Sequence, residues 1–115
     1  MHMTSELYKI SVCVPSEFVN EFTESLDGAL RPLTPYYDRT FILTEVTGTW
    51  RSLEGSNPYN GKIGDTTYAK EIKVEFPVMK DDLVKTIRRI KEIHPYEEPA
   101  IDVICVMDWK RVIGL

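Results

Sequence analysis

In Lys70-Glu71-Ile72-Lys73-Val74-Glu75-Phe76, charge and hydrocarbon alternate from Glu71 onward. A period of two places Ile72, Val74 and Phe76 on one face and Glu71, Lys73 and Glu75 on the other, the pattern of a strand with one face against a core. Pro77 is expected to close it. The buried face needs a second layer, and the following residues supply one. Asp81 or a neighbour is placed to cap a helix whose apolar stripe is Leu83, Ile87, Ile90 and Ile93 or His94, with Lys91 and His94 at its negative end and Pro95 as its stop. Ala100–Met107 then reads as a further strand, apolar on nearly both faces.

Working back from Lys70, Thr40–Thr47 is rich in β-branched and aromatic residues and predicts another strand. Leu30–Asp38, with two prolines, reads as a rigid connection. Earlier still, Leu7–Val14 alternates as a strand, with Tyr8, Ile10, Val12 and Val14 on one face. Pro15 ends it, and Ser16 is placed to cap a helix carrying Phe18, Val19, Phe22 and Leu26 up to Gly28. Glu17 and Glu21 stand where the helix dipole favours carboxylates.

The order strand, helix, strand, strand, helix, strand predicts an α+β, ferredoxin-like βαββαβ sandwich. Two helices cover one face of a four-stranded antiparallel sheet, and right-handed crossovers give the order 4-1-3-2. The last strand then lies at an edge although both its faces are apolar, so a second copy of the chain or the C-terminal tail is expected to cover it. Domain limits follow: residues 1–6 a disordered extension, 7–107 one domain, and 108–115 a tail containing Trp109.

The chain has 115 residues, 43% hydrophobic and 28% charged, enough for one core without staples. A net charge of −4 argues against a nucleic-acid partner. No apolar run of membrane-spanning length or leader pattern is present, and a cytoplasmic setting is expected. Cys13 and Cys105 lack zinc or C-x-x-C spacing and are expected to be buried free thiols, about three residues out of register on neighbouring strands and roughly 10 Å apart.

Two stretches carry chemistry. Gly48, Gly55, Gly61 and Gly64 put four of the six glycines into seventeen residues, together with Asn57-Pro58 and Asn60-Gly61, which predicts one long loop. Gly55–Lys62 fails the phosphate-loop pattern in spacing and in the residue after lysine. An anion nest assisted by Arg51 or Lys62 is one reading of this loop. A structural or intersubunit loop anchored by Trp50 and Tyr59 is the other. The second stretch is His94-Pro95-Tyr96-Glu97-Glu98-Pro99. Imidazole and carboxylate suit a divalent ion, yet consecutive side chains of an extended segment diverge, so one glutamate at most is expected to share a site with His94. In the structural reading His94 ends the helix, Tyr96 packs with a satisfied hydroxyl, and the glutamates accept hydrogen bonds. No nucleophile and base can be paired. Lys80, Lys85, Arg88, Arg89 and Lys91 read as the solvated face of the second helix.

Gly48-Thr49-Trp50-Arg51-Ser52-Leu53-Glu54-Gly55-Ser56-Asn57-Pro58-Tyr59, then Gly61 and Gly64, then His94-Pro95-Tyr96-Glu97-Glu98-Pro99-Ala100, together resemble the PII/CutA-like domain inserted in larger members of the Nif-three (YqfO-type) family. This domain also occurs as a free-standing protein. The likeness covers roughly residues 7–107. Gly28-Ala29-Leu30 with its proline-rich sequel departs from the family's glycine turn. The flanking domains that carry the larger proteins' two-metal site have no counterpart in this sequence, so their hydrolase or cyclohydrolase activity is not carried over. The resemblance implies a sheet that trimerises.

The expected function is therefore a non-enzymatic, homo-oligomeric binding or regulatory module, with trimer favoured, for a small molecule or metal ion near a subunit interface. The expected ligand-binding set is Arg51, Gly55, Asn57, Gly61, Lys62, Gly64, His94, Tyr96, Glu97 and Glu98. No resident cofactor is expected, a divalent metal being the one candidate, and neither is a nucleic-acid or membrane partner. The alternatives are a metal-dependent hydrolase using His94 with Glu97 or Glu98, and an assembly protein without a ligand.

Overall fold

The computed structural model describes residues 6–115. The expected extension, residues 1–6, lies outside the described residues except for Glu6, whose carbonyl accepts from the Lys80 backbone N–H at 2.9 Å. Four strands, β1 (Leu7–Pro15), β2 (Ile42–Arg51), β3 (Thr66–Met79) and β4 (Ile101–Val106), make one antiparallel sheet in the order β2-β3-β1-β4. This is the predicted 4-1-3-2 arrangement read from its other edge. Helices α1 (Val19–Leu26) and α2 (Leu83–Ile93) supply the second layer, and a short helix α3 (Trp109–Val112) follows β4. Among the described residues no helix is long and apolar enough to cross a membrane.

The core forms where the alternating strands meet the two helical stripes. Ile10, Val12 and Val14 of β1 and Val74, Phe76 and Val78 of β3 pack against Phe22 and Leu26 of α1 and Ile90 of α2. Each such side chain contributes about 1.5–3 kcal/mol by leaving water. The expected helix positions Phe18, Val19, Leu83, Ile87 and Ile93 border this cluster. Thr86 is fully buried on the same side of α2 and satisfies its hydroxyl by donating to the Asp82 carbonyl at 2.7 Å.

Several local expectations are corrected. Ser16 does not cap α1, because the chain first makes a 3-10 turn over Ser16–Phe18 and Ser16 already lies within it. Asp81 likewise makes no cap, and its neighbour Asp82 holds the N-cap position of α2 but makes no side-chain capping hydrogen bond there. The Asp82 carboxylate accepts from Arg31 Nε at 2.6 Å and pairs with Lys85 at 3.3 Å, tying the proline-rich connection to α2. Pro77 does not close β3. It pairs with Lys9 while β2 reaches only to Glu75, so at Pro77 one side of β3 is open and a missing N–H costs no ladder bond there.

The cysteines are free as expected, but neither is buried: Cys13 is half-buried and Cys105 exposed. Cys105 pairs with Tyr8, five positions from Cys13 along β1, so the offset is wider than three. The apolar residues of α3 and the tail, Trp109, Val112, Ile113 and Leu115, are exposed, as are Val103 and Ile104 of β4 and Ile42 and Leu43 of β2.

Candidate functional site

β1 stops at Pro15, opposite Glu71, whereas β2 and β3 continue together to the pair Arg51 and Thr66. Gly48 is therefore inside β2, opposite Ala69, and the glycine loop is shorter than predicted, spanning Ser52–Asp65 between the strands. The loop is closed on itself. Gly64 N–H donates to the Ser52 carbonyl at 2.8 Å, Asp65 N–H to the Lys62 carbonyl at 3.1 Å, and Ser56 hydroxyl to the Leu53 carbonyl at 2.7 Å. Gly55, Gly61 and Gly64 all take positive φ, between 89° and 98°, so their residue type is dictated by backbone conformation.

The segment after α2 crosses the step where β1 ends. His94 is 6% exposed and is held at both ring nitrogens. The Tyr96 backbone N–H donates to Nδ1 at 3.0 Å, so Nδ1 carries no proton, and Nε2 donates to the Cys13 carbonyl at 2.7 Å. Burial lowers the His94 pKa, opposed by its bond to Cys13 and by the charge of Glu71. The imidazole is thus a neutral structural bridge from α2 to β1, packed edge-on against Phe22 at 6.1 Å.

This bridge aims Tyr96 outward. Its ring meets Trp50 at 5.4 Å and Tyr59 at 5.7 Å, and its hydroxyl is close enough to Glu71 for that carboxylate to act on it. Burial first, then the nearness and charge of Glu71, push the Tyr96 phenol well above its ordinary value, so it remains a donor. Glu71 was expected to face solvent but is 5% exposed, because Tyr96 and the neighbouring strand cover it. Its carboxylate occupies the space a side chain at Gly48 would need. Across the opening, Glu97 Oε1 accepts from the Asn57 N–H at 3.1 Å, and Tyr59 hydroxyl donates to Glu17 at 3.3 Å. Burial and Glu17 raise the Tyr59 pKa.

These residues enclose a pocket of about 560 Å³, within the range of small-molecule sites. Of the ten predicted site residues, Arg51, Tyr96, Glu97 and Glu98 line it, and Asn57 braces Glu97 from behind. Both glutamates face it, whereas His94 stands behind Tyr96 and Gly55, Gly61, Gly64 and Lys62 lie away from it. Trp50, Tyr59, Glu71 and Cys13 are among the other residues of the lining. The Cys13 thiol is pushed up by burial and then by Glu71. Trp50 and Tyr59 were expected only as packing anchors, which they also are. Glu71 was missed because strand alternation assigns it to the open face, and only the return of the chain after α2 covers that face. Among the described residues no three His, Cys, Asp or Glu side chains are placed to share a metal ion.

Comparison with known proteins gives concordant likenesses, although no family model matches the chain. The GTP cyclohydrolase 1 type 2 homolog of Staphylococcus epidermidis is 32% identical over 101 residues, 88% of this chain and 28% of that protein. Its counterpart in Halalkalibacterium halodurans is 32% identical over 112 residues, 97% of this chain and 30% of that protein. The chain thus spans under a third of these curated relatives. Among solved structures, a Bacillus cereus protein related to NIF3 superposes with a TM-score of 0.75 at 26% identity, over 93% of this chain and 27% of that one. The divalent ion tolerance protein CutA1 from Ehrlichia chaffeensis gives 0.64 at 14% identity, over 92% of this chain and 86% of that one, a likeness of fold alone.

Proposed function

The chain is a PII/CutA-like domain of the Nif-three (YqfO-type) family, and from that premise we propose that it works as a non-enzymatic binding module whose ligand enters the Trp50–Tyr96 pocket. The observation that carries this reading is the convergence of the two sequence motifs on one aromatic-walled pocket of about 560 Å³. His94 supports it indirectly. With both ring nitrogens engaged it serves to set Tyr96, and a hydrolytic role through His94 would require those bonds to break.

Assembly into a homo-oligomer, a trimer in the form the family resemblance implies, belongs to the same proposal. Both edge strands expose apolar residues, Ile42 and Leu43 at one edge and Val103 and Ile104 at the other, and an unpaired apolar edge is stabilised by pairing with another chain. The two free cysteines fit a reducing, cytoplasmic setting.

A thermal-shift screen with nucleotides, amines and divalent ions tests the binding reading, because a ligand selective for the folded state raises the melting temperature. At least one class should stabilise the protein, and a Tyr96→Ala variant should lose that response. Flat curves throughout would overturn the reading. Light scattering at fixed concentration tests assembly, and a monomer at micromolar concentration would refute it.

A further inference from the structure

Resting on the reading of the pocket as a ligand site, we propose that its ligand is a small organic cation, a quaternary or protonated amine, held against the rings of Trp50, Tyr59 and Tyr96 with the Glu71 carboxylate beneath. Four charged side chains line the pocket, Arg51, Glu71, Glu97 and Glu98, so carboxylates outnumber the guanidinium by three to one. Their burial separates them further. Arg51, Glu97 and Glu98 are exposed, whereas Glu71 is 5% exposed. The charge at the floor, where water is excluded and a Coulomb interaction is strongest, is therefore negative. An anion bound through Arg51 would have to sit at the rim or approach Glu71.

The walls favour the same class. Tyr96 is inclined by 59° to Trp50 and by 49° to Tyr59, so the three rings meet at angles and form a corner rather than a stack. Aromatic faces attract a cation electrostatically, most strongly when it is desolvated. A quaternary or alkylated ammonium gives up its hydration more readily than a metal ion, and the described residues offer no three-ligand metal cluster. A carboxylate has about four acceptor positions, so with the Tyr96 hydroxyl beside it Glu71 can still face a cation or accept a hydrogen bond from an ammonium N–H.

The test uses the full chain with Trp109→Phe, which removes an exposed tryptophan and leaves Trp50 as the one emitter. Trp50 fluorescence is titrated with choline, with its neutral carbon isostere dimethylbutanol, and with ATP. Choline should give a saturable change, with the isostere roughly tenfold weaker or more. Glu71→Gln keeps an acceptor for the Tyr96 hydroxyl, and it should weaken choline about tenfold while leaving the isostere unchanged. A melting curve matching the parent's confirms that this variant is folded, and Glu98→Gln provides a second charge deletion at the rim should it not be. Equal binding of choline and its isostere, or no response to choline, overturns the inference. Saturation by ATP alone also overturns it while leaving the pocket's binding role intact, and that role fails only if the wider thermal-shift screen is flat as well.

Discussion

The turn at His94–Pro99 and the loop at Ser52–Asp65 look alike in sequence, each rich in proline or glycine and in polar side chains, but they are built on opposite principles. The turn is anchored from inside: its histidine is buried, both imidazole nitrogens are bonded, and its tyrosine is aimed by those bonds. The loop is shaped from the backbone: positive-φ glycines and main-chain hydrogen bonds fold it, and its basic residue Lys62 is exposed. The difference teaches that residue type alone does not mark a site. Side chains whose polar atoms are already spent serve as supports, and those aimed by them become the lining.

This contrast can be broken by substitution, with urea midpoints read at fixed protein concentration. His94→Ala should be the most damaging, costing about 3 kcal/mol, because it leaves a cavity beside Phe22 and strips partners from the Cys13 carbonyl and the Tyr96 N–H. The same histidine fixes a pH dependence. Its folded-state pKa is lowered, so the unfolded chain binds the proton more readily. Stability is full above the unfolded value of about 6.5, declines as pH falls from there to the folded value, and should lose that component in His94→Ala. A loss of stability on raising pH through the same window would contradict the neutral bridge.

Next in size is Gly48→Ala, at about 2 kcal/mol, since the new methyl competes with the buried Glu71 carboxylate. Its signature is release of Tyr96, visible as a change in Trp50 emission, which a purely local strand defect would not cause. Gly61→Ala should cost about 1–2 kcal/mol, because φ is +98° and the Cβ would meet Thr67 Oγ1. Trp50 emission should stay unchanged there. Lys62→Ala should be nearly silent, within about 0.5 kcal/mol. A large loss at Lys62 would mean that the loop is held by its side chains after all.

The fold was legible because its signals are local. Ile72, Val74 and Phe76 at period two, and Phe22, Leu26 and Ile90 at helical spacing, specify their own burial before any topology is known. Strand ends were less legible, since β2 runs on to Arg51 only because Thr66–Lys70 lies opposite to pair with it. Site geometry was least legible. Nothing in Glu71 or Gly48 announces that a tyrosine 25 positions further along will return to cover one of them. His94, by contrast, was recognisable as a helix-ending residue, and that reading describes its bonds better than the metal-ligand reading does.

The early end of β1 at Pro15 has a dynamic consequence. Past that point β2 and β3 form a two-stranded ribbon, and a ribbon of two strands is only marginally stable without packing on its face. Amide hydrogens of Thr66–Lys70 should therefore exchange through local openings far more often than those of Val12 or Val74, which require the core to unfold. Tyr96 is the clasp on that ribbon. Occupancy of the pocket should slow exchange there while leaving the core's rates untouched, so that the protein can register a bound molecule as a change in local order with no shift of its fold.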